Sequence, residues 1–247
     1  MRAHNLLEGK IVVVTAAAGT GIGSATAERC LAEGATVVIS DWHERRLKET
    51  QERLGVEWAQ VCDVTDEQQV QELIGGAVER YGRIDVMVNN AGLGGEKPVV
   101  DMTDDEWSRV LDVTLNGTFR CTRAALRQMV AQQSGVVVNN ASVLGWRAQR
   151  GQAHYAAAKA GVMAFTRCAA MDVAEHGIRV NAVAPSLAAH PFLTKVTSAE
   201  LLTELVSREA FGRAAEPWEV ANVIVFLASD YSSYLTGEVV SVSSQHP

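Results

Sequence analysis

Ile11-Val-Val-Val-Thr15-Ala-Ala-Ala-Gly-Thr-Gly-Ile-Gly23 carries the clearest architectural signal in the chain. An unbroken β-branched run such as Ile11–Val14 reads as a strand buried on both faces, the kind found in parallel sheets covered by helices. Glycines follow at 19, 21 and 23 and open onto a helix-length segment over roughly 22–33. Glycine at such a turn lets the backbone approach a pyrophosphate and aims helix N-terminal N–H groups at it. A lone glycine-rich stretch can be only a tight connection; the strand before and the helix after make it a dinucleotide-binding turn. The residues expected to hold that ligand are Thr15, Ala17, Gly19, Thr20, Gly21 and Ile22.

Working outward, short apolar runs alternate with longer helical segments. Thr36–Ser40, Ile84–Val88, Val136–Asn139, Val180–Val183 and Val239–Val242 read as further strands, with helices over roughly 66–81, 104–132, 153–176 and 217–228. This alternation implies an α/β fold: a doubly wound, Rossmann-like parallel sheet with helices on both faces. Residues 1–247 form a single domain on this reading, with no linker or internal repeat. The segment 187–213, carrying Pro191 and no strand, breaks the rhythm where a substrate lid would sit.

Strand ends supply more of the same cleft. Asp41 closes the second strand, where a carboxylate can accept both ribose hydroxyls and repel a 2′-phosphate. NAD is therefore expected over NADP, although Arg45 and Arg46 could restore phosphate binding; the plainer alternative for Asp41 is a helix N-cap. Asp63 and Val64 can offer a carboxylate and an N–H to an adenine edge. Asn89-Asn90-Ala91-Gly92 ends another strand with small residues against which a ribose can lie. Each is an ordinary turn signal alone.

Tyr155 and Lys159 stand four apart on a predicted helix and so share a face, with Ser142 upstream. A phenol is a poor base at neutral pH, and a neighbouring ammonium is expected to pull its pKa toward the working range. A serine hydroxyl can hold the oxygen whose proton moves. The plainer alternative for the pair is a packed ring with a snorkelled amine.

Bulk properties exclude several classes. A net charge of −7 without a basic block argues against a nucleic-acid partner. No apolar run of membrane-spanning length and no signal-peptide pattern is present, so a cytoplasmic location is expected. Cys30, Cys62, Cys121 and Cys168 are scattered, which predicts reduced, mostly buried thiols and no metal site.

With these residues in hand, the chain resembles the short-chain dehydrogenase/reductase family in its compact form, from about Gly9 to Val242. The resemblance implies that Tyr155 is the general acid/base, that Ser142 holds the substrate oxygen, and that Lys159 binds the nicotinamide ribose and lowers the Tyr155 pKa. It implies reversible hydride transfer between a nicotinamide and a secondary alcohol or ketone carbon. Tyr155, Lys159, Asn90, Ala91, Gly92 and Pro185 join the cofactor contacts on the same ground, and the two long helices imply a homotetramer, with Leu111, Leu115, Met163 and Phe165 as interface or core.

The chain also departs from the family pattern. The glycine turn is one residue longer, with Ala16 or Ala17 where the first glycine is expected, so that Gly19 would supply the positive φ. Thr114, not Asn116, falls where the fourth catalytic residue, an asparagine, normally lies. Ser186 replaces a glycine, His190 a threonine, and Ser243-Ser-Gln245 the usual ending.

The substrate is less constrained. Leu144 and Trp146 are expected as an apolar wall, with Arg147, Arg150 and Lys195 meeting an anionic tail such as that of a CoA thioester; an ordinary solvated loop is the alternative. The glycine turn, the 39–46 strand end and the 240–245 tail resemble a narrower branch that oxidises a ring hydroxyl on a steroid-derived bicyclic CoA thioester. Two competing readings are a 3-oxoacyl-thioester (acyl-carrier-protein) reductase, for which Asp41 is awkward, and a non-catalytic dinucleotide-binding regulator.

Overall fold

The computed structural model describes residues 3–189 and 199–245. Seven parallel strands, β1 (Ile11–Val14), β2 (Thr36–Asp41), β3 (Trp58–Val61), β4 (Val86–Asn89), β5 (Gly135–Asn140), β6 (Ile178–Pro185) and β7 (Val239–Val242), lie in the order β3-β2-β1-β4-β5-β6-β7. The described helices are α1 (Ile22–Ala32), α2 (Glu44–Leu54), α3 (Glu67–Tyr81), α4 (Asp104–Leu111), α5 (Gly117–Gln132), α6 (Ala153–Val173), α7 (Ala199–Ser207) and α8 (Pro217–Ala228). The order reverses between β1 and β4, and in open parallel sheets that switch point opens the ligand crevice beyond the strands' carboxyl ends.

Side-chain alternation along the strands divides the core into two layers. Val12 and Val14 join Ala27 and Cys30 of α1 and Val220, Ile224 and Leu227 of α8 on one face. Val13 and Met87 join Leu73 of α3, Ala125 and Met129 of α5, and Val173 of α6 on the other. The expected doubly wound architecture is the one observed.

Several boundaries differ from the sequence reading. β3 and α2 carry weak signals: Trp58-Ala-Gln-Val61 has little β-branching, and α2 buries only Leu47 and Thr50 along a highly charged surface. The strand read at 84–88 is observed as Val86–Asn89; just before it, the Asp85 backbone pairs with Ile11 and Val136 while its carboxylate accepts the Ile11 N–H at 2.8 Å. The helix read over 104–132 is interrupted by a π turn, Asp112–Asn116. Such turns insert an extra residue into a helix and concentrate at functional sites.

In the 187–213 segment, Ala188 and Ala215 form an isolated bridge ahead of α8, and α7 lies between; His190, Pro191 and Lys195 fall outside the described residues. Cys30, Cys62 and Cys121 are buried and Cys168 is exposed, all unpaired. Among the described residues there is no metal-ligand cluster, and no helix is long and apolar enough to cross a membrane.

Candidate active site

The lengthened turn after β1 folds back onto β2 and α2. Ala16 itself takes the left-handed conformation at φ +49°, and Gly19 does so at +89°. The positive φ thus falls at two positions rather than on Gly19 alone. Ala17 donates its N–H to Ser40 O at 3.0 Å, Ala18 to Asp41 Oδ2 at 3.2 Å, and Gly19 to Thr50 Oγ1 at 2.9 Å. Ala17 and Gly19 therefore spend their donors on protein. Among the described residues, the N–H groups of Thr20, Gly21 and Ile22 have no protein acceptor, and Gly21 caps α1 without a side-chain bond. Gly23 is required by packing, since a Cβ there would lie 2.4 Å from Ala16 O and 2.5 Å from Asn90 Nδ2.

Thr15 and Asn90 stitch β1 to β4. Thr15 Oγ1 accepts from Asn90 N at 3.0 Å and Ala91 N at 3.2 Å, while Asn90 Nδ2 donates to the carbonyls of Thr15 and Ala16. Asn140 Nδ2 then donates to Asn90 Oδ1 at 2.9 Å, and Lys159 Nζ donates to Asn140 O. One polar chain thus runs from the glycine turn across the sheet to Lys159.

A cavity of about 820 Å³ opens over these strand ends, lined by Ala16, Asp41, Arg46, Asp63, Val64 and Gly92 among others. Asp41 is buried and accepts from His43 N at 3.0 Å as well as from Ala18 N; the N-cap of α2 is His43, so the plain capping alternative does not hold. Asp63 also holds Thr65 through Oδ1, and its N–H goes to Gln69 Oε1 at 2.9 Å. The wall opposite the strand ends comes from Ser108, Arg109 and Asp112, which the sequence reading did not identify because nothing in α4 marks it as facing a ligand. This donor set fits a dinucleotide: uncommitted N–H groups at a helix N-terminus for phosphates, a carboxylate at a strand end for ribose, and open space beside Gly19 and Gly21. Such a group, when bound, supplies the hydride chemistry.

Ser142, Tyr155 and Lys159 come together behind Gly92 of the cavity wall, where a Cβ on Gly92 would lie 3.4 Å from Lys159 Nζ. Ser142 begins a turn after β5 and accepts from Leu144 N at 3.2 Å. Lys159 Nζ lies 5.5 Å from the centre of the Tyr155 ring. Burial lowers the Lys159 pKa to about 8. The Tyr155 pKa moves the opposite way to the sequence expectation: burial raises it, and the hydrogen bond with Ser142 brings it part of the way down. Helical spacing correctly predicted the shared face, but desolvation of the phenolate outweighs the neighbouring amine in the protein alone.

Around this centre the chain is closely fitted. Thr114 is fully buried in the π turn, where its hydroxyl accepts from Leu93 N at 3.0 Å and donates to Leu93 O at 3.2 Å. Asn116 instead bonds Asp112 at 3.0 Å. Beyond Leu93, a Cβ on Gly94 would touch the Tyr155 ring at 3.7 Å and one on Gly95 would meet His154 Nε2 at 3.5 Å. His154, which the sequence reading passed over, is buried and accepts the Tyr155 N–H at 2.9 Å through Nδ1. Pro185 ends β6 opposite Val242.

The expected substrate residues separate. Leu144 is half-buried, whereas Trp146 and Arg150 are exposed. Arg147 does not stand free at the mouth: it donates to Gln245 Oε1, and Gln245 Nε2 in turn donates to Glu209 at 3.0 Å. Ser244 Oγ adds a 2.8 Å bond to the same buried carboxylate. Leu115 and Met163 pack in a core cluster with Val162, Leu115 only partly buried there, and a Cβ on Gly161 would meet Leu115 at 2.8 Å.

A parallel sheet with a glycine turn at its switch point and a Ser–Tyr–Lys group tied to it through Asn90 and Asn140 is the build of a nicotinamide-dependent oxidoreductase acting on CH–OH groups. The chain belongs to the short-chain dehydrogenase/reductase family: a family model described as enoyl-(acyl carrier protein) reductase matches residues 16–244. It is 68% identical over 251 residues, covering 99% of this chain and 95% of the relative, to the (5R,7aS)-5-hydroxy-7a-methyl-1-oxo-2,3,5,6,7,7a-hexahydro-1H-indene-carboxyl-CoA reductase of Mycobacterium tuberculosis. A 3-oxoacyl-(acyl-carrier-protein) reductase of Thermotoga maritima is 42% identical, covering 96% of this chain and 97% of the relative. The crystal structure of a short-chain dehydrogenase from Mycobacterium smegmatis superposes with a TM-score of 0.89 at 60% identity, covering 100% of this chain and 97% of that one.

Proposed function

We propose that this protein interconverts a ring hydroxyl and a ketone on a bicyclic, steroid-derived CoA thioester, with NAD as the preferred cofactor. The observation that carries the substrate class is the 68% identity over nearly the whole chain to a reductase named for such a compound. The acyl-carrier-protein reductase reading is carried by a more distant relative, at 42%. Intact Ser142, Tyr155 and Lys159 held beside one another weigh against a regulator without turnover.

In this mechanism Ser142 orients the substrate oxygen and Tyr155 gives or takes its proton. Lys159, buried and tied to the Asn140 carbonyl, holds the nicotinamide ribose. Thr114 fixes the Leu93 backbone beside the phenol rather than moving a proton itself. Buried Asp41 favours two ribose hydroxyls over a 2′-phosphate, and this supports NAD. Leu144 and Trp146 form the apolar side of the substrate pocket. The groove between Phe119, Leu126 and Val130 of α5 and Phe165 and Ala169 of α6 supports subunit pairing on the way to a homotetramer. Unpaired cysteines agree with a cytoplasmic setting.

The test is a substrate panel read by nicotinamide absorbance. Bicyclic hydroxy- and keto-acyl-CoA thioesters should turn over with NAD(H) well above straight-chain 3-oxoacyl thioesters. Preference for the straight-chain thioesters with NADPH would overturn the reading. Asp41→Ala should weaken NADH by roughly tenfold and narrow its advantage over NADPH; an unchanged ratio would remove Asp41 from cofactor choice.

A further inference from the structure

The lengthened turn of residues 15–21 poses a mechanical problem. An added residue gives a glycine-containing loop more conformations, and a loop that wanders cannot present its N–H groups to an anion without an ordering cost. The structure answers from α2. Thr50, a polar side chain buried on that helix, accepts the Gly19 N–H at 2.9 Å. One turn further along, Arg53 donates to Gly19 O at 3.1 Å and to Ser24 Oγ in the first turn of α1 at 2.6 Å. Both polar groups of the Gly19 peptide are therefore held by one neighbouring helix, and the same arginine clamps the start of α1. Asp41, at the end of β2 just ahead of α2, takes the next N–H back, that of Ala18.

We propose that Thr50 and Arg53 are positioning residues for the cofactor's pyrophosphate. By fixing Gly19 from both sides they set the one turn conformation in which the Thr20, Gly21 and Ile22 N–H groups converge at the N-terminus of α1. Neither side chain need touch the ligand. This rests on the reading that the cleft takes a nicotinamide dinucleotide. It extends that reading by making α2 a single support that couples the ribose carboxylate, through Asp41 and Ala18, to the phosphate turn, through Gly19.

The test compares ligands that carry a pyrophosphate with one that does not. Thr50→Val keeps the volume and removes the acceptor; Thr50→Ser keeps the hydroxyl; Arg53→Met keeps the stem at a side chain that is 44% exposed. Fluorescence titration with NADH and calorimetric titration with ADP-ribose and adenosine are run on each folded variant, with circular dichroism as the folding check. Thr50→Val, which loses one hydrogen bond, should weaken NADH and ADP-ribose by about tenfold, and Arg53→Met, which loses two at a partly exposed side chain, by about threefold to tenfold. Thr50→Ser should restore wild-type affinity, and adenosine should bind all forms alike. Should Thr50→Val fail to fold, Arg53→Met decides alone. Wild-type affinity of that variant for NADH and ADP-ribose, or an equal loss for adenosine, would overturn the brace while leaving the cofactor reading intact. A wild-type protein that binds neither dinucleotide would bring down both.

Discussion

At the cofactor end of the cleft the strands are joined by backbone and by short side chains at strand ends, to which Arg53 of α2 adds a long tie; at the substrate end Arg147 and Gln245 are long side chains reaching between loops. Thr15 and Asn90 join β1 to β4, and Asn140 carries the chain on to Lys159. Across the sheet, Arg147 reaches Gln245, and Gln245 and Ser244 reach Glu209. Fixing a long side chain costs up to about 2 kcal/mol in rotamer freedom, whereas a serine or threonine costs much less. The first construction suits a ligand that never changes. The second suits a pocket whose walls must differ from one family member to the next.

The largest effect expected lies where the two regions meet. Tyr155→Phe removes the proton carrier and its hydrogen bond with Ser142 but none of the ties that shape the cofactor end, so turnover should fall by ~10²–10⁴ while NADH affinity stays put. Steady-state rates set beside a fluorescence titration check this. A variant retaining full rate would take Tyr155 out of the chemistry. Because burial raises the phenol's pKa, alcohol oxidation should keep rising into alkaline pH and ketone reduction should fall over the same range.

Lys159 comes next, and its effect is on stability. Its folded pKa of about 8 lies below the ordinary lysine value of 10.5, so folding disfavours the charged form. That cost, about 3 kcal/mol at neutral pH, is fully present below pH 8 and is relieved as pH climbs toward 10.5. Lys159→Met should therefore be inactive yet raise Tm at pH 7, less the hydrogen bond to Asn140 O, and the gap should close by about pH 10. Thermal unfolding across that range reads it; a Met variant less stable at every pH would show that the buried amine stabilises the fold.

The same contrast explains what could be read from the sequence. The glycine turn, Asp41, Asn90 and the Tyr155/Lys159 pair are local patterns, fixed by strand ends and helical spacing, and they stand where expected. Thr50, Arg53 and His154 were missed because their roles come from tertiary neighbours: a threonine and an arginine on a charged helix carry no mark of the loop they hold. Arg147 was expected at the pocket mouth, and only the folded tail reveals Gln245 as its partner. The Tyr155 pKa went the wrong way for the same reason, since spacing gives neighbours and only packing gives burial.

Smaller effects are expected among the arginines. Arg150 is exposed and forms no ion pair among the described residues, so Arg150→Ala should raise KM for a CoA thioester roughly threefold to tenfold and leave a truncated ketone unchanged. Arg147→Ala breaks the link to the tail and should raise KM for both. If both variants discriminate equally between the two substrates, the two arginines play one role and the clasp has no separate part.

The smallest effect tests the rigid end by loosening it. Ala16 holds φ +49°, a conformation that costs a residue with a Cβ about 1–2 kcal/mol. Ala16→Gly removes that strain but gives the unfolded chain more freedom, worth about 0.4–1 kcal/mol. The net should be a gain of roughly 0.5–1 kcal/mol, read as a rise in Tm of a few degrees. Cofactor affinity should not change, because the Ala16 carbonyl is held by Asn90 at 3.0 Å and Gly23 packs directly beneath it whichever residue occupies the site. A loss of NADH binding in this variant would mean that the alanine methyl, and not the network of strand-end ties, keeps the turn in register. The contrast between the two ends of the cleft would then fail at its firmest point.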